Sequence, residues 1–119
     1  MVDSRVYVPG DNESATTYMY DIATDTWSAI PLSGGIRPAQ NYGCVAVNNE
    51  IWRIGGVIGG ATTNEVWVLN TESEVWSLRS LLEEPRMSFA AGCVGDTVGV
   101  AGGVAHPGFV PVVTTETKR

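Results

Sequence analysis

The same residues return along this chain at one spacing. Trp27 and Trp76 lie 49 positions apart, as do Arg37 and Arg86, and as do Gly43-Cys44-Val45 and Gly92-Cys93-Val94. The glycine pairs Gly55-Gly56 and Gly102-Gly103 are 47 apart, and Pro9-Gly10 stands 46 before the first pair. Tyr20 precedes Trp27 by seven residues, just as Leu69 precedes Trp76 by seven. Unrelated residue types keeping one period mark a repeat architecture, in which each unit buries its apolar faces only against its neighbours.

Between these markers the local pattern is that of strands. Apolar, β-branched and aromatic runs recur near residues 5–8, 17–20, 44–47, 51–54, 65–69 and 75–78. Turn-forming clusters separate them at 10–14, 33–35, 48–49, 59–60 and 70–73. Helical periodicity is almost absent: residues 80–84 are long enough for one turn, and Pro85 ends it. The chain therefore reads as all-β, with four strands (a to d) in each full unit, the size of one propeller blade. The second unit holds a near Tyr42–Val47, b at Ile51–Ile54, c at Glu65–Leu69 and d at Val75–Leu78. The first unit begins at strand b, around Val6. The third supplies a near Phe89–Val94, b near Thr97–Ala101 and c around Phe109–Thr114, for ten strands in all.

With the double glycine after strand b, the Trp in strand d and the Arg introducing the next strand a, the sequence resembles kelch repeats. Residues 37–85, from Arg37 through Trp52, Gly55, Gly56 and Trp76, carry most of the pattern. Residues 1–36 and 86–119 read as partial blades, giving four-stranded antiparallel sheets in an incomplete ring of about two and a half blades. Three departures stand out: Pro9 replaces a glycine, Leu69 replaces the usual Tyr, and the third unit has no Trp. Such a chain is expected to be cut from a longer propeller of about six or seven blades. An open arc also leaves blade edges exposed to self-association.

The repeat implies structural work for its markers. Gly10, Gly55, Gly56, Gly102 and Gly103 are expected where backbones approach closely, since a phosphate-cradling loop would lead into a helix. Trp27 and Trp76 are expected to pack blade against blade, each indole contributing about 1.5–3 kcal/mol of apolar transfer energy. Trp52 and Trp67 lack a recurrent position. Cys44 and Cys93 are expected at one equivalent place as small core filler, about 10 Å apart and beyond disulfide reach.

By the same resemblance the d–a and b–c loops form one mouth of the channel. Arg37 and Arg86 would present guanidinium groups there to an acidic ligand, beside Asn41, Tyr42, Ser88 and Phe89, or else brace their loops through backbone carbonyls. His106 falls in the b–c loop of the third unit, where a solvated histidine is the plain alternative. Asn12 begins an N-glycosylation acceptor pattern with no signal peptide in this chain.

Charge and composition narrow the chemistry. Seven Lys+Arg against 13 Asp+Glu leave a formal charge of −6 and no basic stripe, which argues against nucleic acid. No apolar run is long enough for a bilayer. Two cysteines and one histidine form no metal cluster, and no catalytic motif is present. The reading is a non-catalytic binding module without cofactor or metal, whose partner is a protein segment or a glycan; the compartment is open. The alternative is a piece of a secreted kelch-propeller enzyme, galactose-oxidase-like or sialic-acid mutarotase-like, with catalytic residues elsewhere.

Overall fold

Turn chemistry sets the register of the strands. In the computed structural model, which describes residues 4–11, 14–30, 34–87, 90–95, 97–105, 110–111 and 115–118, the two c–d turns are copies of each other. The Asp21 carboxylate accepts from the backbone N–H groups of Ala23 and Thr24, and the Asn70 amide oxygen accepts from those of Glu72 and Ser73. Each turn then ends on a residue in the left-handed region, Asp25 at φ 53° and Glu74 at φ 58°. A short acceptor opening the turn holds the backbone while the chain reverses. The a–b hairpins repeat in the same way, with Asn48 at φ 53° and Gly95 at φ 61° as their left-handed residues.

These turns organise three antiparallel sheets. The first pairs β1 (Arg5–Val8), β2 (Thr17–Asp21) and β3 (Thr26–Ile30). The second is a full blade in the order β4 (Gly43–Val47), β5 (Glu50–Ile54), β8 (Glu65–Asn70) and β9 (Val75–Leu81). The third pairs β10 (Ala90–Val94), β11 (Thr97–Ala101) and β14 (Thr115–Lys118). Two short ribbons fill the b–c loops: β6 (Val57–Ile58) with β7 (Ala61–Thr62), and β12 (Val104–Ala105) with β13 (Val110–Pro111). No helix occurs among the described residues.

The main sheets contain the ten expected strands, but the third unit's c strand lies later than expected. Val110–Pro111 belongs to the ribbon, and Thr115–Lys118 takes the place beside β11. The β-branched run suggested Phe109–Thr114 and passed over the more polar Thr115–Lys118, because pairing depends on context and not on propensity alone.

Two apolar layers hold the sheets together. Ala15, Ile30 and Ile36 pack with Ile51, Trp67, Leu69 and Trp76 between the first and second sheets. Val45, Val47, Trp52, Ile54, Val66 and Val68 pack with Val98 and Val100 between the second and third. Strand alternation sends Trp52 and Trp67 to opposite faces of one sheet, so both are core residues. Each indole N–H donates to a glutamate two residues earlier on its own strand, Trp52 to Glu50 and Trp67 to Glu65.

Trp76 behaves as expected: it is 1% exposed, and its Nε1 donates 2.9 Å to Thr17 Oγ1 on the first sheet. Trp27 does not. It is 63% exposed, and its ring lies against that of Tyr20, centroids 5.0 Å apart. The physical reason is that its face of the first sheet has no sheet against it among the described residues.

The cysteines also depart from expectation. Both are exposed free thiols rather than core filler. They are not register equivalents either: Cys44 faces Arg53, whereas Cys93 faces Val98, next to the hairpin turn. By pairing, Cys93 corresponds to Ala46, whose carbonyl lies 3.7 Å from its sulfur. Strand a is the rim of the second and third sheets, and a small side chain at a rim stays accessible.

The glycine expectation holds in part: close backbone approach occurs at Gly10 and Gly56 but not at Gly102, where a Cβ would meet nothing within 4 Å. The second glycine of each pair keeps one conformation, φ 101° at Gly10, 95° at Gly56 and 91° at Gly103. A Cβ on Gly56 would stand 2.7 Å from the Gln40 carbonyl oxygen and 2.9 Å from the Tyr42 Cβ. The first position is left-handed too at Gly55 (φ 60°) and Gly102 (φ 74°), a conformation closed to Pro9, so the first unit keeps only the second of the two turns. Gly56→Ala should therefore cost about 2–4 kcal/mol in urea unfolding. Gly60→Ala, at φ 84° but with open space around its Cβ, should cost only about 1 kcal/mol.

Candidate functional site

The d–a and b–c loops meet at one end of the sheets through backbone bonds. Gln40 and Val57 exchange N–H···O bonds of 3.1 and 2.8 Å, joining the loop that enters β4 to the first ribbon. The Gly56 N–H donates 2.8 Å to the Arg86 carbonyl, joining that ribbon to the loop that enters β10. Arg37, Asn41, Tyr42 and Arg86 all lie on these loops. Ser88, Phe89 and His106 lie outside the described residues.

The two repeat-equivalent arginines have different surroundings. Arg37 is exposed, and its guanidinium bonds the Glu65 carboxylate at 2.9 Å. Arg86 is 0% exposed, donates 3.2 Å to the Gly102 carbonyl and stands 3.9 Å from the Glu84 carboxylate. Asn41 is exposed at φ 55°, a conformation asparagine tolerates. Tyr42 is half-buried, and its hydroxyl donates 2.6 Å to the Gly10 carbonyl. Burial pushes the Tyr42 phenol up to about 12; Cys44 and Asp11 push the same way and Arg53 opposes them.

Arg53 is the residue the sequence reading missed. It is 2% exposed on β5, and neither terminal nitrogen has a hydrogen-bond partner. Its Cζ lies 5.8 Å from the centroid of the Tyr42 ring, a cation–π contact that replaces only part of the lost hydration. Burial lowers its pKa, Tyr42 and Glu65 raise it, and Arg37 lowers it again. A signal was available. Strand pairing aligns Arg53 with Val8 and Val100, so a charged residue occupies a position that is valine in the other two units.

These loops thus bring together a buried guanidinium with unused donors, an exposed arginine near it and a half-buried phenol. Among the described residues no group of three His, Cys, Asp or Glu side chains comes together to hold a metal ion.

A four-stranded antiparallel blade with a left-handed glycine pair after strand b, packed on its neighbour through a strand-d tryptophan, defines a kelch-type β-propeller blade. Residues 38–80 match the Kelch motif, and this is a kelch-repeat chain. Kelch domain-containing protein 10 of Xenopus laevis is 32% identical over 97 residues, covering 68% of this chain and 23% of that protein. Kelch-like protein 7 of Rattus norvegicus is 28% identical over 104 residues, covering 85% of this chain and 17% of that protein. Alpha-scruin of Limulus polyphemus is 29% identical over 91 residues, covering 75% and 10%. The chain thus spans less than a quarter of the length of these relatives.

Tyr42 supplies a pH test of this geometry. Its phenol is held neutral, so its contribution to stability is full below the unfolded value near 10 and is lost as pH rises towards about 12. Ultraviolet titration should show a phenol ionising near about 12, and Tyr42→Phe should remove that phase together with the alkaline loss of stability.

Proposed function

We propose that this chain is a non-catalytic interaction module whose d–a and b–c loop mouth docks an acidic protein segment. Residues 1–36, 37–85 and 86–119 act as partial, full and partial blades. The observation that carries this reading is the Arg53 guanidinium, buried with both terminal nitrogens unpartnered. Burying a charge without partners is costly, and a carboxylate reaching it would recover much of that cost. Arg37 lies at the rim, already held by Glu65, and would exchange or share that partner with an arriving carboxylate. Arg86 stays bonded to Gly102 and positions its loop. The net charge of −6 repels acidic chains at long range, so selectivity would rest on this local cluster.

The relatives support an interaction module in general, being kelch-domain and kelch-like proteins by name. A glycan is the other occupant the mouth would admit, through Asn41 and Tyr42. The enzyme alternative concerns the whole protein, whose catalytic residues would lie beyond this chain.

Fluorescence polarisation with a short labelled glutamate-rich peptide tests the reading. Binding should weaken about five- to ten-fold in Arg37→Ala and should weaken with added salt. Equal binding of the glutamine counterpart, or no effect of Arg37→Ala, would overturn it; capture of a neutral glycan instead would replace the acidic segment as ligand.

A further inference from the structure

One device holds an arginine on each face of the second sheet. On β8 the Trp67 indole N–H donates 2.9 Å to Glu65 Oε1, which leaves Oε2 to the Arg37 guanidinium, also 2.9 Å away. On β5 the Trp52 indole donates to Glu50 Oε1, and Arg79 takes Oε2. Alternation puts residues two apart on one face of a strand, so each indole fixes its own glutamate and leaves one oxygen for a cation. The pair is a notch for a guanidinium, built once towards the first sheet and once towards the third.

The two notches differ in how firmly they are filled. Arg79 also lies over the Trp52 ring, its Cζ 5.3 Å from the centroid. Arg37 comes from a loop, and 56% of its side chain is exposed. An ion pair that open to water contributes little, so Arg37 leaves Glu65 at small cost. Once Arg37 turns to a ligand carboxylate, the Glu65 carboxylate stays pinned by Trp67 with one oxygen open to a new cation.

Register sets the distance between that notch and the buried guanidinium. Arg53 pairs opposite Trp67, and the Glu65 carbonyl accepts from the Gly55 N–H, so Arg53 and Glu65 are diagonal neighbours on one face. Such neighbours stand about 7–8 Å apart. Arg53 is buried with both terminal nitrogens unpartnered, a second demand for charge beside the first. An extended peptide returns to the same face every two residues, about 7 Å along. A carboxylate and a guanidinium two residues apart therefore match the buried cation and the notch together. Such a segment also escapes the repulsion that a net charge of −6 sets against purely acidic chains.

We propose that the mouth reads a mixed-charge extended segment and that Glu65 sets its specificity. The carboxylate of the segment engages Arg37 and Arg53, and an arginine two residues away replaces Arg37 in the notch of Glu65 and Trp67. The inference rests on the mouth docking a carboxylate, and it adds what must stand beside that carboxylate.

Fluorescence polarisation on the 119-residue chain tests it with three labelled peptides: Arg-Ser-Glu-Ser-Arg, its isomer Ser-Arg-Glu-Arg-Ser, and the arginine-free Gln-Ser-Glu-Ser-Gln. The isomers carry the same charge, so long-range attraction to the acidic protein cancels between them. Only the first places its arginines on the face of its glutamate, and it should bind about five-fold tighter than the isomer. Glu65→Gln keeps an oxygen for the Trp67 indole. In that variant the two isomers should bind alike, and the arginine-free peptide should bind about two-fold tighter than to the wild type, because Arg37 is released. Circular dichroism checks that the variant is folded. Equal binding of the isomers to the wild type, or a preference that survives Glu65→Gln, overturns this inference, while binding of the arginine-free peptide leaves carboxylate docking in place. Binding of none of the three removes the docking and this inference together.

Discussion

A sheet of three or four strands cannot bury both of its faces by itself, and the whole molecule rests on how each sheet covers the next. The contact between Trp76 and the first sheet shows what this requires. The indole supplies a large apolar area, and its N–H, which would be costly to bury alone, finds the Thr17 hydroxyl across the junction. The rest of that layer, from Ile30 to Leu69, is aliphatic and aromatic surface brought to the same plane by strand alternation. The glycine pairs let the loops at one end come close enough for the sheets to meet there: Gly56 sits where a Cβ would strike the Gln40 carbonyl.

The same close packing explains the electrostatics of the mouth. Loops drawn over the ends of the strands trap two arginines, and their fates differ with what lies within reach. Arg86 meets a backbone carbonyl and an acidic side chain. Arg53, near the end of β5, pairs opposite Trp67 and has the Tyr42 ring 5.8 Å from its Cζ, with no hydrogen-bond acceptor at either terminal nitrogen. A structure dominated by apolar contacts gains nothing from such a residue as packing, since the unused donors cost more than a valine would. Val8 and Val100 stand at the equivalent places, so the fold itself does not demand arginine there. Arg53 is therefore the residue on which the proposed docking of an acidic segment rests.

The fold was legible because its signals are local and repeated. The spacing of Trp27 and Trp76, the glycine pairs and the alternating apolar runs each report a short-range requirement that every unit meets in the same way. The mouth was legible only in outline. Arg37 and Arg86 share a repeat position, yet one reaches solvent and the other is sealed under its loop. The Gly-Cys-Val match at 49 residues misaligned the cysteines, because pairing across the a–b hairpins aligns residues 47 apart. A one-dimensional match cannot see which residue lies opposite, and opposition decides the face a side chain occupies.

By itself the sequence determined the strand content, the turns with their left-handed residues, and the period that makes each unit a kelch-type blade. These follow from backbone sterics and side-chain alternation, which act over a few residues and need no partner. The tertiary structure alone decided that Trp76 is core while Trp27 is surface, that both cysteines stand at a rim, and that Arg53 is buried without partners. Burial is a property of what lies across a junction, and for identical residues at identical repeat positions that depends on whether another sheet is there to cover them.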